Sequence, residues 1–167
     1  MEYINLIASI LFWLIIIQAS TITHELGHAI WGLIYTEEKV VIELGRKPEK
    51  PKLLKLGRLD IYLGSFDPFS GFTYVNTEGM KKYKKLLFYI GGPLMSLVIA
   101  IILFFIKGLV LNKFLNNMIL LSSYYHFYQF LVTIFPMVYP RWWGVYGGYS
   151  SDGYKFLTLL IGRNKSC

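Results

Sequence analysis

The sequence predicts a mainly α-helical, polytopic membrane protein with three transmembrane helices, a short C-terminal helix and a small β-rich cytoplasmic insert. Of its 167 residues, 54% are hydrophobic and only 16% are charged. A soluble domain carries about a quarter charged residues. The apolar residues form long blocks, and most basic residues lie between the first two of these blocks. We therefore expect a single domain over 1–167 that is embedded in a lipid bilayer.

The first predicted span covers about 4–35, and Glu25 is its only formally charged residue. A helix of this length is about 50 Å long, whereas the hydrocarbon core of a bilayer is about 30 Å thick and needs roughly 20 residues. The chain begins with Glu2 rather than a basic run, and no small-residue cleavage site follows the apolar block. These features favour a membrane span over a cleavable signal peptide.

The later elements follow from changes in composition along the chain. Short β-prone pieces at 39–44, 58–63 and 72–76 are separated by glycine, proline and aspartate, which predicts a β-rich insert at about 39–76. Two further apolar blocks, at 86–106 and 115–138, are long enough to span a bilayer. The last apolar block is too short to cross alone, and it predicts a short helix at 152–162.

The net charge of +7 reflects an uneven distribution of basic residues. Of the 17 basic residues, 11 lie between Thr36 and Lys85: Lys39, Arg46, Lys47, Lys50, Lys52, Lys55, Arg58, Lys81, Lys82, Lys84 and Lys85. Because cytoplasmic loops of membrane proteins are enriched in lysine and arginine, we expect the 36–85 loop to be cytoplasmic and the N-terminus to lie outside a bacterial cell membrane. This pattern favours anionic lipid over nucleic acid as the partner of the positive charge.

The first span contains a motif with metal-binding chemistry, His24-Glu25-Leu26-Gly27-His28. Histidines four residues apart stack on one face of a helix, so both imidazoles can reach one Zn²⁺ ion. Glu25 can act as a general base on water in the open position of such a site. Ionisable groups are costly inside a bilayer and are functional by default, which favours metal binding over a purely structural role.

Two histidines do not complete a zinc site, so a third protein ligand is needed. The candidates are His126, Asp152, Glu43, Asp60, Asp67 and Glu78. Asp152 differs from the others because it directly precedes the short C-terminal apolar segment. A carboxylate in the first turn of a helix is stabilised by the helix N-terminus, although the same position also suits simple N-capping. The single cysteine, Cys167, excludes a cysteine-rich zinc site and an intrachain disulfide.

Three motifs in order resemble those of the site-2 protease family of intramembrane zinc metalloproteases. HELGH lies in the first span, Gly91-Gly92-Pro93-Leu94-Met95-Ser96 opens a later span, and Ser151-Asp152-Gly153 follows near the C-terminus. The family carries an HExxH helix, a G-P-x-x-N motif and an N-x-x-P … L-D-G motif. The resemblance covers roughly residues 20–160, and HELGH is its most specific part.

The resemblance implies that His24, His28 and Asp152 bind one Zn²⁺ per chain and that Glu25 is catalytic. It also makes Gly92, Ser96 and His126 candidates for binding the substrate. Ser96 and Thr133 stand where the family has asparagine, and an aromatic, glycine-rich stretch separates Pro136 from the aspartate. Purely structural roles are the alternatives for two of these features. The Gly-Gly-Pro sequence can be a helix kink whose backbone groups are satisfied by neighbouring helices, and His126 can hydrogen-bond across helices.

The expected function is hydrolysis of peptide bonds in membrane-spanning proteins or remnant signal peptides, near the cytoplasmic side of the membrane. An exposed edge strand of the insert could pair with an unwound substrate. Two other functions fit the same residues. The chain could be a non-catalytic zinc-binding relative that binds membrane proteins, or a small transport subunit whose histidines and Glu25 relay protons or metal ions.

Overall fold

The computed structural model describes residues 2–46 and 52–162. Within these residues four helices occur: α1 (Glu2–Tyr35), α2 (Lys82–Ile106), α3 (Lys113–Ile134) and α4 (Asp152–Ile161). The strands in the same part of the chain are β1 (Val40–Leu44), β2 (Lys52–Leu56), β3 (Leu59–Leu63) and β4 (Gly71–Tyr74). Short 3₁₀ turns lie at Lys107–Leu109 and Gly144–Tyr146. The mainly helical class and the small β-rich insert are therefore confirmed.

The four strands form one sheet in the order β2-β3-β1-β4. β1 pairs in parallel with β3 and antiparallel with β4, so β2 and β4 are the edge strands. The sequence did not predict β2, whose five residues are all exposed and include two lysines. Its strand conformation depends on pairing with β3 through the turn at Gly57, which adopts a φ of 61°. The predicted basic residues Lys47 and Lys50 lie outside the described residues.

The sheet packs against the C-terminal half of α1. Val40 and Ile42 of β1 are almost fully buried together with Ala29 of α1, and Ile22, Leu26, Leu33, Ile61 and Val75 surround them. β1 shows the alternating burial of a strand with one face on a core. β4 also contacts α1, because the side-chain hydroxyl of Thr73 donates a hydrogen bond to the Glu25 carbonyl at 3.1 Å. The sheet is thus fixed to the helix that carries the HELGH motif.

In the part of the chain that the structure describes, two helical segments are long and apolar enough to cross a membrane, Ser9–Tyr35 and Lys82–Leu109. The prediction of a third span at 115–138 was wrong: α3 ends at Ile134 and does not meet the same criterion. Its apolar residues are interrupted by Asn116, Asn117, Ser122, Ser123, His126 and Gln129. These polar side chains reduce its hydropathy below that of a membrane span. α3 instead packs against α2, where the Ser123 hydroxyl donates to the Ala100 carbonyl at 2.7 Å.

α1 and α2 approach closely at glycine residues. A Cβ atom placed on Gly27 would lie 2.5 Å from the Gly91 carbonyl oxygen and 2.6 Å from Cβ of Met95. Only glycine fits such a contact, and the backbones therefore meet as they do in small-residue interfaces of membrane helices. α2 turns a buried stripe with a spacing of four residues toward this interface: Phe88, Gly92, Ser96 and Ala100.

Replacing Gly27 with alanine should weaken this helix contact. Overpacking of a tight interface costs about 1–3 kcal/mol, and we expect the free energy of unfolding of the purified protein in detergent to fall by that amount. The matched control is Gly108→Ala, because a Cβ there has no atom within 4 Å. We expect the control to change stability by less than about 0.5 kcal/mol. Equal stability of the two variants would contradict the proposed close contact.

Candidate metal centre

Three potential metal ligands converge at the junction of α1 and α4. Nε2 of His24 lies 3.2 Å from Nε2 of His28, one helical turn further along α1. Oδ2 of Asp152, in the first turn of α4, lies 3.2 Å from Nε2 of His24 and 3.3 Å from Nε2 of His28. The two histidines are buried, and Asp152 is largely buried. These three residues form a group that could hold a metal ion.

The triangle of ligand atoms has the dimensions of a tetrahedral metal site. Donor atoms at about 2.0–2.1 Å from a tetrahedrally coordinated ion lie about 3.3–3.4 Å from one another. The three observed separations, 3.2, 3.2 and 3.3 Å, agree closely with this value. Three protein ligands on one side of an ion leave the fourth coordination position open. The chemistry of the set, two imidazole nitrogens and one carboxylate oxygen, also suits a divalent ion.

The second nitrogen of each histidine ring has its own partner on α2. Nδ1 of His24 lies 3.0 Å from the Ser96 hydroxyl, and Nδ1 of His28 lies 2.7 Å from the Phe88 carbonyl oxygen. An Nδ1–H that donates to these oxygens leaves the lone pair on Nε2, which is the nitrogen that faces Asp152. Ser96 is fully buried. The structure therefore places Ser96 behind the His24 ring.

Gly92 lies directly against the two imidazoles. A Cβ atom on this residue would overlap Nε2 of His28 and would lie 2.7 Å from Nε2 of His24. Any side chain here would occupy the space in which an ion bound by the histidines has to lie. The Gly-Gly-Pro sequence lies inside continuous helix α2, so its glycines serve close packing at the centre and between the helices.

Asp152 is held by a capped helix and by electrostatics. Its neighbour Ser151 is the N-cap of α4, and the Ser151 hydroxyl accepts a hydrogen bond from the Tyr154 amide at 3.1 Å. Because Ser151 caps the helix, the Asp152 side chain can turn toward α1. Burial would raise the pKa of the Asp152 carboxyl, but the imidazoles of His28 and His24 hold that pKa well below its usual range. The ionised carboxylate is the form that binds a metal ion.

Glu25 is oriented by β4. Its Oε2 accepts a hydrogen bond from the Thr73 hydroxyl at 2.7 Å. Gly71 also lies close: a Cβ there would be 2.8 Å from Cγ and 3.1 Å from Oε1 of Glu25. Among residues 2–46 and 52–162, Oε1 has no hydrogen bond. One carboxylate oxygen is therefore anchored by the sheet while the other remains available for proton transfer.

A single cavity of about 660 Å³ connects these groups. His24, Glu25, His28 and Asp152 line it, and half of the other lining residues are aromatic. The aromatic lining residues are Phe69, Phe72, Tyr74, Phe88, Tyr89, Tyr125, Tyr128, Tyr139, Trp142, Trp143, Tyr146 and Tyr149. The cavity thus combines a few convergent polar groups with apolar walls, as small-molecule and peptide sites do.

The other candidate ligands lie elsewhere. Asp60 of β3 pairs with Lys39 at 2.8 Å, and Asp67, in the segment between β3 and β4, pairs with Arg46 at 3.1 Å. His126 is buried between α3 and α1, where its Nε2 lies 3.3 Å from the Thr23 hydroxyl and its Nδ1 donates to a carbonyl of α3. It does not line the cavity. Of the predicted third ligands, the structure brings Asp152 to the histidines.

Three residues at the centre escaped the sequence analysis. Thr73 orients Glu25, Gly71 makes room for it, and Tyr146 hydrogen-bonds to Gly71 through its hydroxyl at 2.9 and 3.0 Å. None of them lies within a motif, and Tyr146 is 75 residues from Gly71 in the chain. In the sequence, Gly71 was visible only as one of the residues that separate the β-prone pieces.

Comparison with known proteins assigns neither a family nor a function to the chain. No model of a known protein family matches the chain, and no curated protein matches it. The resemblance to the site-2 protease family therefore rests on the sequence motifs alone and stays a prediction.

Removing the Asp152 carboxylate should disrupt metal binding. We expect Asp152→Ala to lower affinity for Zn²⁺ by more than about 100-fold, since loss of even an outer-shell partner costs roughly 10–100-fold. Competition with a chromophoric chelator measures the affinity in the purified protein. The control is Asp67→Ala, which removes an aspartate from the segment between β3 and β4 and should leave the affinity unchanged. An unaltered affinity in Asp152→Ala would exclude this residue as a ligand.

Removing the Ser96 hydroxyl should weaken the same site more mildly. Ser96→Ala leaves Nδ1 of His24 without its 3.0 Å partner, and we expect a roughly 10–100-fold lower affinity for Zn²⁺. Ser123→Ala is a matched control, because that buried hydroxyl also bonds between helices but has no hydrogen bond to the metal group. Similar affinities in the two variants would argue against a role for Ser96 in orienting His24.

Proposed function

We propose that the chain is an intramembrane zinc metalloprotease that hydrolyses peptide bonds of membrane-spanning substrates near the cytoplasmic side of the membrane. The observation that carries the proposal is the convergence of three donor atoms at tetrahedral spacing with a buried glutamate in one cavity. Such a set, with an open fourth position and an adjacent carboxylate, is the arrangement of a catalytic rather than a closed structural zinc site.

A membrane location is supported by the surfaces of α1 and α2. Large apolar side chains are exposed along both helices, among them Ile10, Leu11 and Ile15 of α1 and Ile101 and Phe105 of α2. Water would disfavour apolar surfaces of this extent, whereas lipid chains would solvate them. With the basic 36–85 loop in the cytoplasm and the N-terminus outside, His24 and His28 lie in the part of α1 nearer the cytoplasm.

Zinc is the ion that best matches the donor set. Tetrahedral sites with two imidazoles and one carboxylate are typical of zinc hydrolases, whereas magnesium and calcium favour oxygen ligands at higher coordination numbers. A bound zinc ion lowers the pKa of water to about 7 and polarises carbonyl groups. His24, His28 and Asp152 would hold it, and Ser96 and Phe88 would fix the two rings.

Glu25 would serve as the general base and then the general acid. Its Oε2 is held by Thr73, which leaves Oε1 to take a proton from the attacking water and to deliver it to the leaving amine. The cavity wall would exclude bulk water around this carboxylate and so strengthen its electrostatic interactions. β4 thus orients the base, and α2 orients the metal ligands.

β4 also offers a way to bind an unwound substrate. It is an edge strand, and Gly71, Phe72, Thr73 and Tyr74 line the same cavity as Glu25. An extended peptide can add to such an edge through main-chain hydrogen bonds. A peptide bond in an intact helix is shielded by its own hydrogen bonds, so pairing with β4 would stabilise the exposed form that hydrolysis requires.

Replacing Glu25 with glutamine should abolish proteolysis and spare the metal. We expect Glu25→Gln to lower the rate of cleavage of a membrane-embedded reporter by about 10²–10⁴-fold, because an amide cannot accept the proton. Metal analysis should still find about one Zn²⁺ per chain, since His24, His28 and Asp152 are retained. The control is Glu37→Gln, an exposed acid beyond the end of α1, which should cleave at the wild-type rate.

The outcomes separate the three candidate functions. Retained cleavage in Glu25→Gln would overturn the role of Glu25. A wild-type protein that binds zinc but cleaves no helical substrate would favour a non-catalytic membrane-protein binder. Metal-dependent flux of ions into liposomes without proteolysis would favour a transport subunit.

A further inference from the structure

We propose that Tyr146 is a specificity-determining residue that closes the Gly71 end of the β4 edge, so that a substrate strand can pair with β4 only from Thr73 onward. This inference rests on the proposed function, in which the substrate adds to β4 as an extended strand. It assigns to the aromatic, glycine-rich segment before Asp152 the task of setting the register of that strand.

The outward-facing backbone groups of β4 follow from its pairing with β1. The Gly45 amide donates to the Ser70 carbonyl at 2.9 Å, and Gly71 and Thr73 are paired with Leu44 and Ile42 in the same antiparallel ladder. Because hydrogen-bonded and non-hydrogen-bonded pairs alternate in such a ladder, the amides and carbonyls of Gly71 and Thr73 point away from β1. The Leu44 carbonyl fits this alternation, because it faces β3 and accepts a hydrogen bond from the Gly64 amide at 2.7 Å.

Tyr146 occupies both outward groups of Gly71. Its hydroxyl accepts a hydrogen bond from the Gly71 amide at 2.9 Å and donates one to the Gly71 carbonyl at 3.0 Å. One donor and one acceptor are what a residue of a pairing strand would supply. Burial raises the pKa of the Tyr146 phenol well above its usual value, so the hydroxyl stays protonated and able to donate.

Thr73, two residues further along, is open. Within residues 2–46 and 52–162, no group beyond the β4 edge hydrogen-bonds to the Thr73 amide or carbonyl. Thr73 also lines the cavity. The free part of the edge therefore begins beside Glu25, which Thr73 holds through its side chain. A strand that pairs with Thr73 but cannot advance to Gly71 would present a fixed peptide bond to the centre.

The segment that carries Tyr146 is firmly attached. The Tyr139 amide donates to the Tyr149 carbonyl and the Ser151 amide donates to the Met137 carbonyl, each at 2.9 Å. The Tyr146 ring packs on Phe72 with 5.0 Å between ring centroids. A segment with these bonds acts as a fixed stop at one end of the edge, and it directly precedes the Asp152 ligand.

The test compares Tyr146→Ala with Tyr146→Phe in the purified full-length protein. Phenylalanine keeps the ring that fills the edge, whereas alanine opens it. The probe is a peptide copied from the cleaved region of the reporter, together with derivatives that each carry one N-methylated amide. In the wild type and in Tyr146→Phe we expect one cleavage position. In Tyr146→Ala we expect a second product, displaced by two residues because strand register changes in steps of two.

The N-methyl series tests the same point at the level of single hydrogen bonds. Methylation of an amide that pairs with β4 should slow cleavage. In Tyr146→Ala one additional peptide amide, two residues beyond the last sensitive amide of the wild type, should become sensitive to methylation. Tyr149→Ala is the matched control, since its ring also packs on Phe72, at 5.5 Å, without bonding to Gly71. Because Tyr149 also lines the cavity, its removal can change the cleavage rate, but the variant should keep the wild-type cleavage position and the wild-type pattern of sensitive amides. Retained zinc content shows that each variant is folded.

A binding measurement keeps the inference independent of proteolysis. In the Glu25→Gln background, a fluorescent peptide of alternating valine and threonine should bind about 5-fold or more tightly to Tyr146→Ala than to Tyr146→Phe, because an opened Gly71 adds main-chain hydrogen bonds. If the wild type cleaves nothing, the proposed function fails while this comparison still decides the role of Tyr146. Unchanged cleavage positions, or equal affinities of the two variants where no cleavage occurs, would overturn the inference.

Discussion

The close contact between α1 and α2 is the constraint on which the rest of the site depends. Gly27 and Gly91 let the two backbones meet, and Gly92 leaves space in front of the imidazoles. Only at this separation can Ser96 and the Phe88 carbonyl reach the far nitrogens of His24 and His28. Larger residues at the glycines would move the rings away from these partners and from Asp152.

The same constraint explains why buried polar groups are tolerated in α1. His24, Glu25 and His28 are buried in a helix whose outer surface is apolar, and an unpartnered polar group there would cost several kcal/mol. Each instead has a partner on a neighbouring element. α2 supplies oxygens to the histidines, α4 supplies a carboxylate, and β4 supplies a hydroxyl to Glu25. The helices build the metal group, whereas the sheet orients the proposed base.

The sheet and the segment before α4 meet at Gly71. This glycine touches Glu25 on one side and the Tyr146 hydroxyl on the other. A small insert between two long helices thereby becomes part of the site wall. The aromatic stretch that the sequence analysis regarded as an insertion between two motifs lies against the edge at which a substrate would bind.

The sequence by itself determined the helical class, the two long apolar helices and the HELGH face, because these depend on composition and on periodicities within a few residues. It also singled out Asp152 from its position before an apolar segment. It misjudged α3, in which Ser123, His126 and Gln129 bond to neighbouring helices, and it overlooked the exposed strand β2, which pairing with β3 maintains. Only the tertiary structure decided which acid meets the histidines, that Ser96 supports His24, and that Thr73 and Tyr146 flank the proposed base. Those contacts join residues tens of positions apart, and no local pattern encodes such distances.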